Sequence, residues 1–374
     1  VFTNATEICF NMKLKLTSLF IVATLGLAWN ASAAVTVTGL WSNSTLGGFW
    51  SVGYGGSNAG YSAVGDSETS NGYSHAFFAN GGAIYDLGTL PGGYYSRADD
   101  MAWNPSLTAA RVVGYSDIST GDYHAMSVPL TTTGSPTVDL GTLGGPNSYA
   151  YDVNSSFQIV GESEISSAGY VHAFLYSGGA MTDLGTLSGG SNSYAFGISE
   201  SGKVVGTGDN GSAYHAFVYS GGVMTDLGTL GGTNSRAYAI NDAGGIVGDS
   251  NIAGPGYVTH AFLYKNGTMT NLGTLNASSY STANDINSAG EIVGLSTFSA
   301  SSSTHAFFYK NGVMYDLNTL AASAGLLSNG STVGFVTLEA ATAINDGKFI
   351  TGWGMYYDGT STNYRSFALQ YTAN

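Results

Sequence analysis

The sequence predicts an all-β fold, a β-propeller of seven four-stranded blades closed by the N-terminal strand pairing with the C-terminal blade. Three observations carry this. The core HAFLYKNGTMTNLGTL (His260–Leu275) recurs from His75, His172, His215 and His305, with a divergent copy from His124 and a half-copy, RSFALQY, from Arg365. The His-to-His steps from His75 to His305 are 49, 48, 43, 45 and 45 residues, the size of a propeller blade. Each step holds four short strand signals.

The four strands, a to d, follow in order. In the repeat SRAYAINDAGGIVGDS, Ala237–Asn241 reads as strand a, Asp242–Gly245 as a turn and Ile246–Ser250 as strand b. HAFLY, strand c, is rich in aromatic and apolar residues and alternates, as a pleated strand requires. Asn266-Gly267 tolerates positive φ at both central positions and makes a tight hairpin turn; Gly178-Gly179 and Gly221-Gly222 serve equally. The chain returns as strand d, MTNLG or MTDLG. Pairing across Asn266-Gly267 sets Tyr264 opposite Met269 and Phe262 opposite Asn271.

Blade one uses Phe49–Gly55, Ser62–Ser67, His75–Phe78 and Ile84–Gly88. Blade two, Arg97 to Gly141, diverges most, with Pro129 and Pro136 around a longer c–d turn. Blades three to six start from Tyr149, Tyr194, Arg236 and Thr282. Blade seven has Thr342–Asn345, Phe349–Gly352 and Ser366–Tyr371 but lacks strand d. AVTVTGL at 34–40 resembles a lone strand d and is expected to pair with Ser366–Tyr371, covering an exposed edge. The IVG-like strands at Val64, Val113, Val160, Val205, Val247, Val293 and Ile350 count seven blades; six or eight are the alternatives. The tight a–b and c–d turns fall on one face. The longer b–c and d–a loops fall on the other, where propellers place function, and Asn318–Glu339 is the longest d–a loop.

Ahead of the repeats, Met12, Lys13 and Lys15 precede the apolar run Leu16–Trp29, and Ala31-Ser32-Ala33 fits a cleavage site. We read 1–33 as an upstream extension plus secretory signal peptide with its start at Met12, and 34–374 as the single propeller. The destination is extracellular or periplasmic; an uncleaved anchor is the alternative. The run is too short for a comfortable membrane span, so no stable span is expected after cleavage. Cys9 is the only cysteine and leaves with that segment, so no disulfide is expected. With 55 Gly and 9% charged residues the chain is polar-poor, but 43% is hydrophobic and periodic, which favours packed β structure over disorder. A net charge of −14 argues against nucleic-acid partners and anionic membranes.

The HAF tripeptide, the following DLGTLGG and the pair INDAGGIVG resemble the extracellular HAF-repeat family of bacterial secreted proteins. The resemblance covers about 300 residues. It implies an exported bacterial protein built of tandem repeats, and brings no activity, substrate or catalytic residue with it. His124-Ala125-Met126 and Arg365-Ser366-Phe367 depart from the motif.

Three sets of side chains are candidates for chemistry. His75, His172, His215, His260 and His305 are diagonal neighbours of Asp86, Asp183, Asp226, Asn271 and Asp316 in the hairpin register. A pair made in blade after blade reads as structural, a buried imidazole satisfied by a carboxylate, because an active site is made once. Asp66, Glu68, Asp117, Asp122, Glu162, Glu164, Asp209 and Asp249 fall in the b–c loops and read as a solvated acidic rim. None has calcium-loop spacing, so no cofactor is expected, with Ca²⁺ as the hard-oxygen alternative. Tyr73, Tyr123, Tyr170, Tyr214 and Tyr257 precede the c strands and read as inter-blade packing. The non-repeated Tyr94, Tyr95, Trp353, Tyr356 and Tyr357 suit sugar rings and are the candidate ligand site.

HExxH, the GxSxG elbow, a phosphate-cradling loop and a Cys/His cluster are all missing from the sequence. Near-identical blades and long loops on one face point to a secreted non-enzymatic binding or surface-interaction protein. Its partner is a carbohydrate or another surface protein. A carbohydrate-active hydrolase or lyase, and a purely structural extracellular component, are the alternatives.

Overall fold

The computed structural model describes residues 35–42, 45–56, 62–80, 83–130, 136–166, 169–254, 258–298 and 303–372. The secretory segment expected at 1–33 lies outside the described residues. The described residues form seven four-stranded antiparallel sheets, each packed on the next and the seventh on the first: a seven-bladed β-propeller.

The turn chemistry sets the hairpins. Asn266 and Gly267 take φ of 52° and 81°, both positive as a type I′ turn demands. The resulting register pairs Phe262 with Asn271 and Tyr264 with Met269.

Strand a is bulged in every blade. In blade five the pairing jumps between Ala237 and Ala239, and the same shift recurs at Gly53/Gly55, Ala98/Asp100, Ala150/Asp152, Ala195/Gly197, Ala283/Asp285 and Ala341/Ala343. The bulge pushes a strand-a carbonyl toward strand b, and this explains the glycine of IVG. A Cβ built on Gly248 would lie 1.9 Å from the Arg236 carbonyl oxygen, and the equivalent glycines show 1.8–2.0 Å. Only glycine fits against the bulge.

HAF is packing logic. Successive strand residues face opposite sides, so Ala261 and Phe262 meet different neighbours. Phe262 packs with Val205 and Ala216 of blade four, while Ala261 packs with Ala283 and Phe307 of blade six. Each blade thus offers a small side chain to the large one of the next, and both are fully buried.

Two serines per repeat bolt the blades together. Ser235, at the start of strand a, accepts from Ala216 N–H (2.8 Å) and donates to Gly228 C=O (2.6 Å) of the preceding blade. Ser96, Ser148, Ser193 and Ser281 repeat this. In strand b, Ser250 accepts from Leu230 N–H at 2.8 Å, as Ser67, Ser116, Ser163 and Ser296 do from their own linkers. Backbone groups at the blade seams are thus satisfied by hydroxyls.

Blade seven closes as the sequence predicts. Its three strands, Gly334–Ile344, Phe349–Tyr357 and Thr362–Thr372, take the N-terminal strand Thr36–Ser42 as their fourth. Thr36 pairs with Thr372 and Leu40 with Leu369, and Val35 and Val37 join the core of that blade. On the turn face, Glu291 of blade six meets Lys348 Nζ (2.8 Å) and Tyr371 Oη (2.7 Å) of blade seven. Burial opposes its ionisation, but bonds from Lys348, Tyr371 and Asn287 outweigh that and hold its carboxyl at about 2.

One connection differs from expectation. Asn318–Glu339 is not all loop: it opens with a short helix, α1 (Leu317–Ser323), and joins strand a of blade seven from Gly334. Asp316 caps α1 by accepting from Asn318 N–H at 2.9 Å. Leu317 and Ala321 are buried in the blade-seven core, which gives the segment an apolar face that a solvated loop lacks.

Candidate functional site

The b–c and d–a connections share one face, and the residues read as candidates lie on or beneath it. The His–Asp pairs form in every expected blade. His75, His172 and His215 Nδ1 lie 2.9, 2.8 and 2.8 Å from Asp86, Asp183 and Asp226; His260 lies 3.0 Å from Asn271 and His305 3.2 Å from Asp316. His124 and Asp139 in divergent blade two add a further pair at 2.9 Å. These imidazoles are not buried as expected: His215 and Asp226 side chains keep 21% and 38% exposure. The aspartate also accepts from the N–H of the glycine two residues on, at 2.7 Å for Asp226 and Gly228. That glycine has φ of 74°, so DLG is a side-chain turn that ends strand d while orienting the histidine. The bonds from His75 and from Gly88 N–H hold Asp86 below the usual carboxylate range, against the effect of burial, and Asp86 in turn raises His75.

The acidic rim is a correction. Asp66, Glu68, Asp117, Glu162, Glu164, Asp209 and Asp249 lie within strand b, and only Asp122 sits in a loop. Asp117 and Asp249 are buried. The strand-a bulge explains this, because its extra residue reaches over to the strand-b acid. Tyr238 Oη donates to Asp249 at 3.0 Å; Tyr54 bonds Asp66, and Tyr151 bonds Glu162. Burial pushes Glu162 up to about 7 and raises Asp66 and Asp249. In blade two Asp99 takes the bulge position and binds Arg97 at 2.7 Å, yet burial still lifts it to about 6. Arg97 in turn lies 3.6 Å over the Tyr54 ring.

A second set of carboxyls joins neighbouring strands a. Asp152 accepts from Ile198 N–H at 2.6 Å, and Asp285 from Ile344 N–H at 2.7 Å. Burial raises both, Asp285 to about 7, and Asp100 is raised further by the Asp152 carboxylate beside it. Sequence reasoning missed these groups. Their signal was an Asp directly after the bulged residue of strand a, in three blades only.

The candidate aromatic residues divide into two groups. Tyr94 and Tyr95, in the connection between blades one and two, meet Tyr73 with ring centroids 5.3 and 5.4 Å away. The three are 59%, 43% and 38% exposed. Their connection is pinned from below: Asp117 Oδ1 accepts from Tyr94 N–H (2.8 Å) and Tyr95 N–H (2.7 Å), and Thr89 donates to Gly93 C=O (3.1 Å). Trp353, Tyr356 and Tyr357 lie in strand b of blade seven. Trp353 meets Tyr364 edge-on at 5.4 Å, Tyr356 packs on Phe335 at 5.1 Å, and Tyr357 donates to Gly359 C=O. Among the described residues no ring contact joins the two groups. Tyr356 belongs to the blade-seven core, so the surface candidates are the Tyr73–Tyr94–Tyr95 platform and Trp353 with Tyr364. Of the recurring tyrosines, Tyr123 and Tyr214 pack on neighbouring rings as expected, while Tyr257 lies outside the described residues.

A hollow of about 230 Å³ opens between blades five and six, lined by Asn234, Arg236, Asp249, Asn251, Thr259 and Tyr280. The sequence did not single it out. No group of three or more His, Cys, Asp or Glu side chains among the described residues is placed to hold a metal, and no helix among them is long and apolar enough to cross a membrane.

No family model matches the chain, and no curated protein matches it. Solved structures similar to it are propeller proteins. The β-propeller domain of the Trilobed protease from Pyrococcus furiosus, described as having an open velcro topology, matches 87% of this chain and 98% of its own at 7% identity, with a TM-score of 0.46. TolB from Acinetobacter baumannii matches 69% of this chain at 14% identity, with a TM-score of 0.40; the chain covers 63% of that protein. XC5397, a gluconolactonase from Xanthomonas campestris, matches 76% of this chain and 94% of its own at 10% identity, with a TM-score of 0.37. The blade assignment rests on the sheet order itself.

Proposed function

We propose that this chain is a secreted, non-enzymatic binding protein of the HAF-repeat type that takes up carbohydrate on its loop face, with Tyr73, Tyr94 and Tyr95 as the contact. The observation that carries this is the platform: three exposed tyrosines on a connection held by Asp117. Rigid aromatic side chains supply contact area at low entropic cost, and a pinned loop loses little freedom on binding. Tyr offers an apolar ring face and a polar tip, which suits a sugar ring with its hydroxyls.

The carboxyls support binding over turnover. A glycosidase sets two carboxyls about 5–10 Å apart across the scissile bond. Asp66, Glu162 and Asp249 are instead each engaged by a tyrosine of strand a, and the lining of the blade five–six hollow holds one carboxylate.

A glycan array, run with and without Ca²⁺, tests the proposal. The native chain should bind a discrete glycan set, and the double change Tyr94→Ala, Tyr95→Ala should weaken it at least about tenfold, or ~1.4 kcal/mol. No binding across a broad array would favour a structural extracellular component. Export is proposed from Lys13, Lys15 and the apolar run Leu16–Trp29, and the intact mass of protein from the culture medium should correspond to a chain beginning at Ala34.

A further inference from the structure

The hollow between blades five and six lacks a cluster of three tyrosines that fills another junction. At the junction of blades two and three, Tyr115, Tyr123 and Tyr149 pack against one another with centroids 5.0, 5.8 and 6.1 Å apart. The strand registers align Asp249 with Tyr115, Thr259 with Tyr123, and Thr282 with Tyr149. Those positions hold an aspartate and two threonines here, and two of them, Asp249 and Thr259, line the hollow. A fourth change furnishes a wall: Tyr280 stands where the repeat has Asn147, Asn192 or Asn234.

The remaining walls are held in place. Asn234 Oδ1 accepts from Tyr214 N–H at 3.1 Å, and its amide donates to Asn251 Oδ1 at 3.3 Å. Asn251 donates to the Thr259 hydroxyl at 2.9 Å, and Asp249 is fixed by Tyr238. Arg236 is exposed at the rim. The lining carries one cation and one carboxylate, so it is formally neutral, and it joins one aromatic ring to guanidinium, carboxylate, amide and hydroxyl groups. At about 230 Å³ it is smaller than a drug-sized pocket of roughly 300–1,000 Å³.

We infer that this hollow is a second binding site, which takes a single neutral pyranose residue with its ring against Tyr280 and its hydroxyls on Arg236, Asp249 and Asn251. The inference extends the carbohydrate reading of the loop face, but the site lies at a different blade junction from the tyrosine platform and is tested separately.

Titration of the full chain with D-glucose, D-galactose, D-mannose and N-acetyl-D-glucosamine, followed by calorimetry, should show saturable binding of at least one. The pair Asp249→Tyr, Thr259→Tyr places two of those three rings in the hollow and should weaken that binding at least tenfold. Tyr280→Asn, which restores the residue found at three other junctions, should do the same and serves if the filled variant misfolds. Repeating the titration in the Tyr94→Ala, Tyr95→Ala background removes any contribution of the platform, and saturable binding should remain. No saturable binding of any of the four sugars, or wild-type binding by the filled or Tyr280→Asn protein, overturns the site. Monosaccharide binding with a blank glycan array would retain this site and sink the platform, and the reverse result would do the opposite.

Discussion

Ser235 serves two buried backbone groups at once, the Ala216 N–H and the Gly228 C=O, and is itself 1% exposed. Replacing it with alanine leaves both without a partner in a site water cannot reach. Ser235→Ala should cost ~1–3 kcal/mol. His215 and Asp226 are 21% and 38% exposed, so water can take over from a lost imidazole. His215→Ala should cost less, at most ~1 kcal/mol. Urea unfolding at one pH measures both, and a larger loss for the histidine would reverse the assignment. The His–Asp pair was legible in the sequence because a two-residue turn fixes which residues are diagonal. The serine was visible only as a recurrence. Nothing in one strand's spacing says that its hydroxyl reaches the neighbouring blade. The tyrosine–acid pairs stayed hidden for a related reason: they depend on the strand-a bulge, which adds a residue without changing the alternation a reader counts.

At the scale of elements, turns and edges did most of the specifying. Asn266-Gly267 set the register that the hairpin adopts, and the missing strand d of blade seven pointed to residues 34–40 as its replacement. Deleting Val35–Leu40 removes Val35 and Val37 from the closing core and leaves Thr362–Thr372 as an unpaired edge. The truncated protein should melt lower and aggregate at concentrations where the native chain does not; an unchanged melt in light scattering and calorimetry would refute the closure. α1 was not legible, because a seven-residue helix has too little periodicity to stand out within a polar connection. The hollow between blades five and six was not legible either. It is lined by residues from separate strands and connections, among them Asp249, Thr259 and Tyr280, and a gap has no motif.

The whole molecule carries its carboxyls in two opposed states. Glu162 and Asp285 are pushed by burial to about 7 and Asp99 to about 6, so the folded chain holds protons there that the unfolded chain, titrating near pH 4, has released. Between about pH 4 and 7 the folded state therefore binds more protons, and stability falls as pH rises. Glu291 at about 2 and the lowered Asp86 work the other way, since their contribution is present above the unfolded pKa and is lost as pH falls below it. Stability should peak near pH 4–5. Glu162→Gln keeps the bond to Tyr151 and should flatten the decline toward pH 7; a rising curve across that range in urea titrations would contradict the burial of these groups. The same inward engagement separates binding from turnover, which is the central claim. The most direct measurement recovers a glycan bound by the native chain after prolonged incubation and weighs it by mass spectrometry. Retention on the protein at unchanged mass, lost with Tyr94→Ala, Tyr95→Ala, is the result expected of a binding surface. A hydrolysed or unsaturated product that accumulates with time would contradict it.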